Sequence, residues 1–193
     1  DGNTGQSQTG WAWGCSHSMS NLLRFHPTVE AFLPVCVTDC YPGTSGDFGT
    51  QSQGGIYINH RGPKVMDVDA GCNGSVAGEL GGAAVGPNGW ALVFNAHQAP
   101  LTLGQSGYDR NVKNQDIGFS AIGANRQPGA VIWLTNTAVD EADATIAAWA
   151  PTNGHPEEYV VGWSEQGGRH QIARIDGQGT LLEGPHDVSD RAR

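Results

Sequence analysis

Three short apolar runs punctuate the chain: AFLPVCVTD (31–39), WALVFNAH (90–97) and EYVVGWSE (158–165). Each ends in polar side chains, and each is followed after a loop by a second run: GIYINHRG (55–62), DIGFSAIG (116–123) and HQIARIDG (170–177). Aromatic and β-branched residues bounded by Gly, Pro, Asn and Asp predict strands. The second runs close on turn chemistry: Arg-Gly-Pro, Gly-Ala-Asn and Asp-Gly-Gln-Gly. In HQIARIDGQGTLL, Ile172, Arg174 and Asp176 alternate with Gln171, Ala173 and Ile175 up to an Asp-Gly pair, the strongest hairpin signal in the chain. GAVIWLTN (129–136) and DATIAAWA (143–150) are two further strand candidates, and few windows carry apolar residues at helical spacing.

The runs recur. The first-strand centres step from Val35 to Leu92 to Val161, and the second-strand centres from Ile58 to Phe119 to Ala173. A unit of roughly 55–70 residues with about four short strands has the size of a β-propeller blade. One such sheet cannot bury both faces alone, so neighbours must stack. Gly14-Cys15 and Gly71-Cys72 mark the repeat a second way, each with a Ser three residues after the Cys. The expected fold is therefore all-β, with about three propeller blades at approximately 14–70, 71–128 and 129–187, within a single all-β domain, or part of one, spanning 1–193. A β-sandwich of irregular hairpins is the alternative.

The third unit, ATIAAW…EYVVGWSE…HQIARIDGQGTLLEGP, resembles blades of bacterial secreted or surface β-propeller proteins. In those, a strand ending in Gly-Trp precedes one ending in Asp-x-x-Gly and a Gly-Pro exit. The resemblance is carried mainly by residues 129–187 and implies a fold, with no activity attached. In the first two units Cys residues and Gly-rich loops such as YPGTSGDFGTQSQGG (41–55) replace the Trp-bearing pattern. Closed propellers usually need four to eight blades. Three imply completion by another chain or by self-association. Asp1, with no Met or leader, reads as a processed start, and Arg191 and Arg193 would suit a trypsin-like cut.

Composition narrows the partners. A net charge of −9, from 10 Lys and Arg against 19 Asp and Glu, argues against nucleic acid and anionic membrane surfaces. No apolar run is long enough to span a bilayer as a helix. Four cysteines, Cys15, Cys36, Cys40 and Cys72, read as two disulfides of undetermined pairing in an extracytoplasmic protein. Zinc is the competing use, since Cys36 and Cys40 with Cys15 or Cys72 and His17 would complete a tetrahedron.

Catalytic signatures are weak. Gly14-Cys15-Ser16-His17-Ser18 lacks the second Gly of a nucleophile elbow, and neighbouring residues on a strand face opposite ways. His17, His60, His97 and Asp39 fall at strand ends that blade stacking would gather on one face, with Glu165 matching in the third unit. They form a candidate ligand or metal site, and caps or solvated side chains if not. Asp67, Asp69 and Asn73 place oxygens at alternate positions, as a structural Ca²⁺ loop does. An Asx-rich turn accounts for the same residues. Trp90, Trp133, Trp149 and Trp163 lie in strand runs and are expected in the core. Trp11 and Trp13 share one strand face and would stack on a glycan or partner.

These features predict an extracytoplasmic binding or assembly module, a structural subunit of a larger complex rather than an enzyme. The rivals are a metal-assisted hydrolase or lyase using the His and Asp set, and a carbohydrate-binding module.

Overall fold

Short turns set the local structure. In a computed structural model that describes residues 18–38, 54–59, 62–68, 75–76, 78–101, 107–108, 113–149 and 157–191, every long segment is a strand or a link between strands. β1 (Ser18–His26) turns through residues 27–30 into β2 (Ala31–Thr38), which pairs with β3 (Gly55–Ile58), and β3 with β4 (Lys64–Asp67). β5 (Ser75–Val76) stands apart from the large sheets. A second sheet runs β6 (Glu79–Gly86) and β7 (Gly89–Ala96); β8 (Gly107–Tyr108), which follows, pairs in parallel with β5. β9 (Asp116–Gly123) and β10 (Ile132–Trp133) complete that second sheet. The third is β11 (Glu141–Ala148), β12 (Glu158–Glu165), β13 (Arg169–Asp176) and β14 (Leu181–Asp187), followed by a 3-10 turn at Ser189–Arg191.

The protein is thus all-β, with three four-stranded antiparallel sheets and no α-helix among the described residues. The sheets do not close into a barrel. β1, β4, β6 and the short β5 and β8 had no clear signal in the sequence, whereas β14 follows β13 across the Asp176-Gly177 turn that the hairpin signal predicts. The strand at Ile132–Trp133, placed in the third unit by its sequence spacing, pairs with β9 and belongs to the second sheet. Ser18 opens β1 whereas Ser75 lies in the small β5–β8 ladder, so the two Gly-Cys segments lead into different structures.

Pairing gives the three large sheets one register. Phe25 faces Phe32, Val85 faces Trp90 and Ala148 faces Tyr159 across the first hairpins. Across the next pair, Val35 lies opposite Ile58, Val93 opposite Phe119 and Gly162 opposite Ile172. The matching centres are therefore Val35, Val93 and Gly162. Leu92, Val161 and Ala173 sit one residue away, on the opposite face, because a one-residue step in a strand changes sides.

The second sheet is buried on both faces. Trp90, Leu92 and Phe94 meet Leu33, Val35 and Ile56 of the first sheet. Ala91, Val93 and Phe119 meet Tyr159, Val161 and Trp163 of the third. That explains the unbroken apolar run of β7, which has no solvent side to alternate with. Each large side chain buried this way contributes about 1.5–3 kcal/mol. Close approach fixes one glycine: a Cβ on Gly81 would collide with the carbonyl oxygen and Cβ of Ala144, where β6 crosses β11.

Candidate functional site

His97 follows β7 at the end of the second sheet, and the richest buried polar cluster of the described residues gathers around that end. Asn95 points inward from β7, and its amide donates to Gln115 Oε1. Asp116 opens β9, where its carboxylate accepts from Gln98 Nε2 at 2.8 Å and from the Thr137 N–H at 3.0 Å. Glu141 opens β11 of the third sheet, hydrogen-bonded to the hydroxyls of Thr135 and Thr137. Asp140, beside it, accepts from the Gln115 N–H at 3.2 Å and faces Lys113 at 3.5 Å. The segment 134–140 thus laces the start of β9 to the start of β11.

Thr135 is the hinge of this network. Its Oγ1 accepts the Ile117 N–H at 2.8 Å and touches both Asp116 Oδ1, at 3.5 Å, and Glu141 Oε2. A hydroxyl has one proton to give. Glu141 and Asp116 both stand as acceptors for it, so the two carboxyl groups compete for one donor. Burial foremost, with the nearby Asp116 and Glu165 charges, pushes the Glu141 carboxyl above its ordinary value against the pull of its threonine bonds. With Glu141 1% and Asp116 5% exposed, the pair is shut off from solvent and suits a latch between sheets better than a reaction centre.

His97, whose buried Nδ1 has no hydrogen-bond partner among the described residues, is near this cluster in sequence and register. Its proposed companions His17, Asp39 and His60 lie outside the described residues, as do Trp11, Trp13, Cys15, Cys40, Cys72, Asp69 and Asn73. Glu165 is taken by Arg169 at 2.7 Å. Asp67 pairs with Lys64 at 2.7 Å and, after burial, helps push the Tyr57 hydroxyl up to about 12. Among the described residues, no three His, Cys, Asp or Glu side chains are placed to hold a metal ion. Cys36 is fully buried in β2 and disulfide-bonded.

Two aromatic positions depart from expectation in opposite ways. Trp90 and Trp163 are core residues and Trp133 packs partly against the core. Trp149, expected there too, is 50% exposed just beyond β11. Hollows of about 170 and 280 Å³ lie against its two sides. One is lined by Val160, Ile172, Arg174, Glu183 and His186, the other by Val85, Pro87, Glu157 and Tyr159.

The other is His26, which no sequence motif singled out. It is buried, and its Nδ1 accepts the N–H groups of Thr28 and Val29, so Nε2 carries the proton and donates to Gly86 O at 2.9 Å. Its ring also meets Trp90 edge-on, with centroids 5.2 Å apart.

No family model, curated protein or solved structure matches the chain. Fold and geometry alone define it: an all-β protein of three stacked four-stranded meanders, with a buried carboxyl latch and an exposed tryptophan on the outer face of its third sheet.

Proposed function

We propose that the chain is an extracytoplasmic binding or assembly module built from β-propeller blades, a structural subunit of a larger complex. The observation that carries this reading is the stacking of like on like. The first strand of the middle sheet, β6, is flanked by the first strands of both neighbours, β1 and β11. First strands running side by side, with later strands fanning outward, are what radial blades need. A two-layer sandwich would put one apolar face on each sheet, whereas the middle sheet here has two. Ligands would then be recognised by loops and faces of the completed assembly, with no reaction centre required.

A crystal structure of the assembled particle tests the reading. Blades require β1, β6 and β11 to line a common axis within a closed ring of sheets. A particle in which the three sheets remain an open stack, with both outer faces in solvent, would rule blades out. The extracytoplasmic setting rests on Cys15, Cys36, Cys40 and Cys72 forming two disulfides. A denatured mass without reductant about 4 Da below that of the reduced chain is expected, since each disulfide bond forms with loss of two hydrogens.

A further inference from the structure

The outer faces of the first and third sheets carry the same side-chain plan as the faces already joined. Phe32, Trp90 and Tyr159 occupy one register position and point toward the preceding sheet. Trp90 is 2% exposed because the first sheet covers it, and Tyr159 is 1% exposed because the second does. Phe32 has no described sheet before it. It is 47% exposed, in tilted contact with the equally open Phe25 at 5.0 Å, with Leu23 beside them.

The opposite faces match likewise. His26, Gly86 and Trp149 hold one position at the hairpin end of the first strands, pointing toward the following sheet. His26 spends its ring on the next sheet, against Trp90 and Gly86 O. Among the described residues Trp149 has no such partner on a following sheet, and it stands beside its hollows with Ile172, also exposed.

From this register, and resting on the blade reading above, we infer that a second copy of the chain covers both faces. Trp149 of each copy packs against Phe25 and Phe32 of the other. The contact continues the existing stack of first, second and third sheets into the first sheet of the partner. It is heterologous, because the face bearing Trp149 is complementary to the face bearing Phe32 and neither is complementary to itself. Heterologous contacts either close a ring or propagate a filament. Two copies supply six sheets of the described kind, within the four to eight that close a propeller.

Native mass spectrometry of the full chain, with oxidative footprinting of Trp149, Phe25 and Phe32, tests this. The expected particle has twice the 20.3 kDa chain mass, with all three side chains protected. Trp149→Asp and Phe32→Asp should each halve the mass while the β-sheet circular dichroism is retained, since both positions are exposed in the lone chain. Mixing the two variants should restore the dimer, because one intact Trp149 then meets one intact Phe32. A dimer untouched by either variant, or with the three side chains labelled, overturns the inference. So does a wild-type monomer, whose footprint separates the two levels: protected side chains mean the faces are covered from within the same protein and the blade reading stands, and labelled ones remove both.

Discussion

At the scale of single residues, Glu141 shows how burial displaces the titration of a carboxyl. Its carboxyl is held above the ordinary value of 4.5 chiefly by burial, so the folded protein keeps a proton that the unfolded chain releases. That stabilisation is complete below the unfolded carboxyl's pKa and fades as pH rises through the raised folded value. Glu141→Gln keeps the shape and a donor without the titration. The stability of the wild type relative to this variant should therefore fall as pH rises from about 4.5 toward neutrality, as measured by urea unfolding across pH. Thr135→Val removes the shared hydroxyl and leaves the Ile117 N–H without its acceptor. A loss of about 1–3 kcal/mol is expected from the same measurement. None of this was legible in the sequence. Thr135 and Glu141 are six residues apart on a stretch with no motif, and Asp116 reaches them only because β9 and β11 start side by side. His97 was legible as a polar strand end, and the burial of its Nδ1 atom was not.

At the scale of elements, the strands with the strongest patterns kept their places: β2, β7, β9, β12 and β13 lie where the apolar runs predicted them. β6 escaped because its sequence, ELGGAAVG, contains the Gly that normally marks breaks, and only the start of β14 was legible, since Gly184 and Pro185 interrupt LLEGPHD. In β6 one of those glycines, Gly81, reflects crowding. Gly81 lies against the Ala144 backbone, whereas a Cβ on Gly82 would make ordinary contact with Ile146 at 3.7 Å. Gly81→Ala should therefore destabilise by about 1–3 kcal/mol through overpacking. Gly82→Ala should stay within about 0.5 kcal/mol of the parent. Thermal unfolding of the pair reads the difference directly, and equal behaviour would mean that β6 does not press on β11 as described.

At the scale of the whole molecule, stability should be graded outward from the middle sheet. Amide exchange tracks local burial and hydrogen bonding, and β7 has neighbours in every direction. The slowest amides are expected in Gly89–Ala96 and Asp116–Gly123, and faster ones in Leu181–Asp187, whose side chains are mostly exposed. Hydrogen exchange read by mass spectrometry checks this order. Leu92→Ala, at the interface with the first sheet, should cost about 2–5 kcal/mol. It should also speed exchange in β2 more than in β12, since Leu92 faces away from the third sheet.

The sequence by itself determined the strand class, the recurrence of four-strand units and the second-strand turns. Those depend on contacts between near neighbours and on backbone preferences that each residue carries alone. Only the tertiary structure decided which face each strand presents, since a one-residue step in register exchanges the two sides. That is why Leu92, Val161 and Ala173 mark the right strands but not the positions that match Val35 and Ile58 in the fold. It is also why Trp149 reads as core in the sequence and stands half in solvent in the fold. An indole is equally apolar in both settings, and what differs is whether another sheet arrives to cover it.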